Sequence, residues 1–416
     1  MKKVLLIVFT LFFCLSLTSF SKSGGKKPVP DFYYDVLRIE SDLSSYSSMR
    51  GVYCQTAFDE LEQDILDGKV SRIDCIYRLR KIISDFHIGH IYITLNEKEK
   101  NDIMMPPLAF YCFGNEYYII FSTSKYEKYL GWKLKEINNL SPEEVIDKLS
   151  EYLSYETIIS KKYFLEDLLT YNDYKYAGII DKKGKLCYKL EAPDGKTELV
   201  TCSFVNYQKT KYISIKPEKQ NLKLPQYKKQ LKYSITPCPE KATLYIPYNA
   251  CRVIEEYPPA EWFSDILKEL STGLYDTIVF DLRYNRGGFD LTSALLEQNQ
   301  EELKKYNIAL VAGGRSFSAS GWFINSVLTL FPEAKIFGEE MGQAVFNYTG
   351  DRNETLKKLK CDFWFPLIVD DLEVIKNRAD NVYRGTMPDV EVTESFEAFM
   401  NGEDAIYNAI YKYFNK

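Results

Sequence analysis

The sequence predicts a mixed α+β protein whose C-terminal half is an α/β layered domain. Three observations carry this expectation. After Pro239, apolar strands alternate with helices: TLYIPY (243–248), a helix over 260–270, TIVFDL (277–282), a helix over 291–305, IALVAG (308–313) and a helix over 319–330. That alternation is the pattern of an α/β layer. Ahead of it, about 105–238 is rich in Tyr, Phe and short alternating strands, which reads as a separate β-rich module. Further upstream, Cys75, Leu79, Ile82 and Phe86 recur at spacings of four, three and four, the stripe of one helical face.

The elements follow in order. Residues 1–21 carry two lysines, an apolar run and then small polar residues, the pattern of a signal peptide. The run is shorter than the roughly 20 apolar residues of a spanning helix. The mature chain is therefore expected to be exported, periplasmic or extracellular, without a stable membrane anchor. The stretch 22–104 is an N-terminal helical segment: SGGKKPVP (23–30) is a linker, and helices are expected over 57–66 and 72–86. From His90 to Leu95 the chain alternates as a strand, with His90, Tyr92 and Thr94 on one face. In the β-rich module, 105–238, a strand and turn lead to a helix over 142–155 with Ser141 as N-cap and Glu144 three residues on. Cys187 and Cys202 lie symmetrically about Asp194-Gly195, so a hairpin would set them opposite each other as a disulfide. The last unit is 239–416.

Length and composition bound the partners. A chain of 416 residues exceeds what one core organises, so two or three domains are expected. A net charge of −5 without long single-sign runs argues against nucleic acid and anionic membranes. Small molecules or polypeptides fit better.

Three stretches carry chemistry. In YDTIVFDLRYNRGGFD (275–290) an apolar strand runs into Gly287-Gly288, where a sharp turn can leave amides uncovered to hold an oxyanion. The same pair could simply reverse the chain. In GGRSFSAS (313–320) a strand ends and Ser316, Ser318 and Ser320 precede an apolar helix. A serine there sits at the positive end of the helix dipole, favourable for developing negative charge, but serine is also a preferred N-cap. The third stretch, SDFHIGHIYI (84–93), holds both histidines of the chain, His87 and His90.

Taken in order, D-L-R-x-N-x-G-G (281–288), S-F-S-A-S (316–320), Gly338-Glu339 and GTMPDVEVTESFEAFMNGEDAIYNAI (385–410) resemble the C-terminal-processing (tail-specific) serine peptidase family. Ser84-Asp85-Phe86-His87 is similar to the Asp-x-His of its tricorn-like branch. The resemblance implies a crotonase/ClpP-like layered catalytic domain over 239–416 and a PDZ-like or intervening middle module. It implies Ser318 as nucleophile, His87 as general base, and the amide of Ala319 with one from Gly287 or Gly288 as oxyanion hole. Members that use a lysine place it about 25 residues after the nucleophile, and 338–350 contains none. A base must then come from a histidine, whose ordinary pKa suits the task. His87 fits the Asp-x-His spacing; His90 falls in the expected strand. The tricorn-like branch places an orienting glutamate where this chain has Val382, so Glu339, Glu340 and Asp380 are the candidate acids.

The implied activity is an exported serine endopeptidase on polypeptides, near protein C-termini, with no cofactor. Two alternatives stand beside it. A degenerate member would bind peptides without cutting them. Asp85, His87 and His90 could instead ligate a metal, but the string lacks the helical HExxH spacing and a Cys/His partner cluster, and no metal is expected.

Overall fold

Strands buried at nearly every position need cover on both faces, and the C-terminal half supplies it. In the computed structural model, which describes residues 29–95, 103–217 and 231–415 except 51, 53, 168, 290, 291, 351, 372–374, 376, 380 and 382, this half forms a six-stranded sheet. The signal-peptide expectation for 1–21 lies outside the described residues. The strand order is Thr236–Cys238, Thr243–Pro247, Thr277–Asp281, Asn307–Ala312, Lys335–Gly338, Val390–Glu391, parallel except for the first. Leu244, Ile246, Ile278, Phe280 and Leu310 bury against Trp262, Phe263, Phe323 and Ile324 of the helices Pro259–Leu270 and Ala319–Leu330. The alternate residues Tyr245, Val279, Ala309 and Val311 face Ile406, Tyr407 and Ile410 of the helix Ala405–Phe414. The mixed α+β class and the layered C-terminal domain are as expected.

The register is nearly level: Pro247 pairs with Asp281, Asp281 with Val311 and Val311 with Phe337. The carboxyl ends of the parallel strands thus share one rim, the usual place for a site in such sheets. The loops 282–289 and 313–318 leave from it. The helix expected over 291–305 is instead two short ones, Ser293–Gln298 and Gln300–Leu303. They meet at Asn299, whose φ of −114° leaves helical geometry and whose Nδ2 donates to Leu295 O at 2.8 Å.

The N-terminal segment contains the expected helices at Gln55–Leu66 and Arg72–Ser84, and another at Tyr33–Arg50 that its polar sequence did not signal. Ser71 caps the third through a capping box with Asp74. Val36, Phe58, Leu79 and Phe86 bury together with Leu356, Cys361 and Phe363 from the hairpin Arg352–Leu356/Cys361–Phe365. The strand Tyr92–Leu95 adds to the same hairpin, Tyr92 opposite Trp364. A hairpin between two strands of the C-terminal sheet therefore ties down the histidine-bearing segment.

The middle region is β-rich as expected. Its antiparallel path runs Leu108–Phe113, Glu116–Thr123, Lys133–Ile137, Leu186–Glu191, Thr197–Cys202. The Ser141 capping box is present: Ser141 Oγ accepts from Glu144 N at 3.2 Å, and Glu144 Oε2 accepts from Ser141 N at 2.7 Å. The helix ends at Ser150 rather than reaching 155, freeing 151–157 to run toward the rim.

The expected Cys187–Cys202 disulfide is not formed; both thiols are free. Cys187 pairs with Thr201 and Cys202 with Leu186. The loop between Glu191 and Thr197 is centred on Asp194 rather than on the Asp194-Gly195 bond, and a one-residue offset puts the two side chains on opposite faces.

A buried ionic cluster joins this module to the C-terminal half. Arg315 lies 2.6 Å from Glu166 and 3.1 Å from Glu394, and Glu394 also accepts from Tyr111 and Tyr284 at 2.7 and 2.8 Å. Burial pushes the Glu394 carboxyl up, but Arg315 and Arg283 with the two phenols hold it, on balance, below its ordinary value. A depressed carboxyl stabilises the fold above its unfolded pKa of about 4.3 and loses that contribution as pH falls through the lower folded value. Glu394→Gln is expected to cost about 3 kcal/mol at neutral pH and to flatten the loss of stability below about pH 4. Thermal midpoints measured from neutral to acid pH check both.

Candidate active site

The helix Arg72–Ser84 ends, and the chain turns at His87, which has a left-handed φ of 50°. A turn follows, closed by Ile91 N donating to Ile88 O at 3.0 Å. Ile88 and Ile91 are fully buried in the N-terminal core, so the turn is fastened at both ends. Gly89 must be glycine, because a Cβ there would meet the Phe317 ring at 2.7 Å. His90 then stacks on Phe317 with centroids 4.5 Å apart, and its Nε2 lies 3.0 Å from Ser318 Oγ.

The imidazole beside Ser318 is thus that of His90, not that of the expected His87. That residue is exposed, and its ring rests on Tyr155 at 4.7 Å. The strand begins at Tyr92, not His90, so His90 belongs to the turn. Turn geometry, rather than strand alternation, decides which imidazole faces the serine.

Ser318 stands where the strand Asn307–Ala312 hands over to the helix Ala319–Leu330. Its φ of 59° with ψ of −127° is strained for a residue with a side chain. The surroundings hold it there: Phe317 N donates to Asn285 O at 2.9 Å and Ser316 N to Gly313 O at 2.8 Å. Ser316 Oγ donates to Leu282 O at 2.8 Å, and Ser320 Oγ to Phe317 O at 2.9 Å. Both flanking serines are thus engaged with backbone. Ser318 makes no capping bond with its side chain, and its hydroxyl faces His90.

The two glycines of the pair do different work. Gly287 N donates to Asn285 Oδ1 at 2.8 Å, so this amide is already committed within its own loop. Gly287 is needed for close approach: at φ 90° a Cβ would sit 2.5 Å from Ser318 Cβ and 2.9 Å from Ala319 N. Gly288 (φ 137°) lies against Cys251 O, where a Cβ would fall at 2.0 Å. Among the described residues neither the Gly288 nor the Ala319 amide donates to a protein acceptor. Both line the cavity with Ser318.

Neither Glu339 nor Glu340 lies behind His90. Glu339 is held by Lys162 at 2.6 Å and by the Tyr163 hydroxyl. Glu340 takes Arg384 through both oxygens, at 2.8 and 2.6 Å, and the Gly385 amide at 2.8 Å. Asp380 lies outside the described residues. The carboxylate that faces His90 is Glu156, with Oε1 3.5 Å from Nδ1. That is within ion-pair reach but long for a hydrogen bond. Glu156 is only 4% exposed, and it is fixed by Gly89 N donating to Oε1 at 3.1 Å and Ala344 N to Oε2 at 3.0 Å. Nothing in the sequence singled it out: it is one of 58 acidic residues, in a stretch without a motif.

Ser318, His90 and Glu156 open onto a cavity of about 1240 Å³ between the rim, the histidine turn and the middle module. Tyr92, Trp322 and Trp364 give it an aromatic wall. A hydroxyl, an imidazole, a buried carboxylate and two amides beside the hydroxyl are the parts of nucleophilic acyl transfer.

No family model matches the sequence, and no curated protein matches it. Solved structures do share its fold. The chain is similar to mature CPAF at a TM-score of 0.62 and 12% identity, over 92% of this chain and 95% of that one. It is similar to mature CPAF complexed with lactacystin at 0.61 and 13%, over 93% and 97%. A photosystem II D1 C-terminal processing protease aligns at 0.40 and 13%, over 91% and 99%. At such identities the likeness to mature CPAF is one of fold, and it extends over nearly the whole of both chains.

Proposed function

We propose that this chain is an exported serine peptidase in which Ser318 is the nucleophile, His90 the general base and Glu156 the carboxylate that orients it. The observation that carries the reading is the 3.0 Å contact between Ser318 Oγ and His90 Nε2 in an open cavity, with Glu156 behind the ring. The fold shared with mature CPAF supports it.

A serine hydroxyl is a weak nucleophile unless a base removes its proton as it attacks. His90 can accept at Nε2 when its own proton sits on Nδ1, the side that faces Glu156. Ser318 Oγ adds to a peptide carbonyl, and its proton passes to His90. The carbonyl electrons move onto oxygen, which the amides of Gly288 and Ala319 hold at the helix N-terminus. His90 returns the proton to the leaving amine as the C–N bond breaks, and water then releases the acyl group by the same route. No step needs a cofactor. The substrate is a polypeptide, with sites near protein C-termini the expected targets, admitted past the middle module.

The test is reaction with a fluorophosphonate, followed by peptide mapping. A single adduct on Ser318 supports the reading. A folded protein that binds peptides but takes no adduct is a peptide-binding module instead. Gly287→Ala is expected to slow adduct formation by about 100-fold, since its Cβ forces Ser318 and the Ala319 amide aside. The labelling rate, with circular dichroism as a check on folding, measures it.

A further inference from the structure

The cavity carries charge that the proposed chemistry does not use. Six charged side chains line it: Glu156, Asp167, Lys232, Arg252, Arg286 and Arg315. Four are matched within the protein. Glu156 faces His90, Arg286 lies 2.8 Å from Asp167, and Arg315 lies 2.6 Å from Glu166. Lys232 and Arg252 have no carboxylate partner among the described residues; Lys232 Nζ donates only to the neutral Val253 O, at 2.8 Å.

Both cations are placed by backbone pairing. Cys251 N donates to Gly287 O at 3.0 Å and Phe289 N to Cys251 O at 2.7 Å, so 251–253 runs alongside 287–289. A Cβ on Gly288 would fall 3.2 Å from Arg252 Cγ, so the Arg252 stem lies beside the glycine whose amide faces the cavity. The contact from Lys232 to Val253 O lays the ammonium over the same segment. Two unmatched positive charges therefore sit at the oxyanion side of the cavity, in a chain whose net charge is −5. A local positive mouth on an acidic protein selects among ligands, because the rest of the surface repels the anions it attracts.

We infer that Arg252 and Lys232 select polypeptides with an acidic side chain close to the bond presented to Ser318. This rests on the peptidase reading of the cavity. A guanidinium suits a carboxylate because its planar donors match both oxygens, while the lysine adds a second charge.

Two pools of short fluorescein-labelled peptides of random sequence test the inference, one with Glu and the other with Gln at the same positions. Binding is read by fluorescence anisotropy on Ser318→Ala, and cleavage on the wild type. The Glu pool is expected to bind about fivefold more tightly at low salt. That ratio should fall toward one in Arg252→Gln/Lys232→Gln and on adding salt. Equal binding of the two pools, or a ratio the double variant leaves intact, overturns the inference. Cleavage of both pools at equal kcat/KM sinks it while leaving the peptidase reading in place. Tighter binding of the Glu pool with no cleavage of either pool has the opposite meaning: the acid-selective site stands and the peptidase reading falls.

Discussion

Replacing His90 with alanine is expected to lower kcat/KM for peptide hydrolysis on the order of 10⁴-fold, to the same floor reached by Ser318→Ala. In the proposed mechanism the two groups act as one unit across a 3.0 Å contact, so the double variant should lose no more than either single one. The residual rate would come from the Gly288 and Ala319 amides and from binding alone. His87→Ala is the informative partner experiment. Its ring is exposed against Tyr155 and outside the cavity lining, so activity should stay close to that of the wild type. A large loss in His87→Ala with activity kept in His90→Ala would reverse the assignment. The stacking of His90 on Phe317 adds a structural cost to its removal, so thermal midpoints must accompany the kinetics.

The next largest effect is expected from Glu156→Gln, about 10³-fold in kcat with KM little changed. The carboxylate does two things at once. It holds the histidine turn through the Gly89 amide, and it faces the ring nitrogen that must keep its proton while the other accepts one. A neutral amide preserves the size of the side chain but removes the charge that steadies an imidazolium during transfer. It can also present its NH₂ to Gly89 N or Ala344 N, two donors that cannot accept it. The split between kcat and KM separates positioning from mere stability. A variant that unfolds would lose activity in proportion to its folded fraction, whereas the expected variant keeps its fold and its peptide affinity while the fluorophosphonate reacts slowly. Glu339→Gln and Glu340→Gln, whose carboxylates serve Lys162 and Arg384, should leave the labelling rate nearly unaltered.

The reach of the sequence can be followed through particular residues. Short apolar runs such as 278–280, alternating with helices, announced an α/β layered sheet. The Ser141 and Glu144 capping box was legible because its bonds lie within four residues. Ser318 was picked from three serines only through the ordered motifs around it; in the structure Ser316 and Ser320 spend their hydroxyls on backbone. The Cys187–Cys202 pairing failed because symmetry about a turn does not specify register, and one residue decides the face.

By itself the sequence determined the layered C-terminal domain and the β-rich middle, and it singled out Ser318 and a pair of histidines for attention, because each follows from local periodicity, motif order or the scarcity of a residue type. Tertiary structure decided between two histidines three residues apart and brought Glu156 to the one it chose. Those outcomes depend on the turn at 88–91, on the hairpin 352–365 that anchors it, and on where 151–157 runs after its helix ends. Each is a contact between segments far apart in the chain, and the energy that selects it comes from burial and backbone pairing that no short stretch contains.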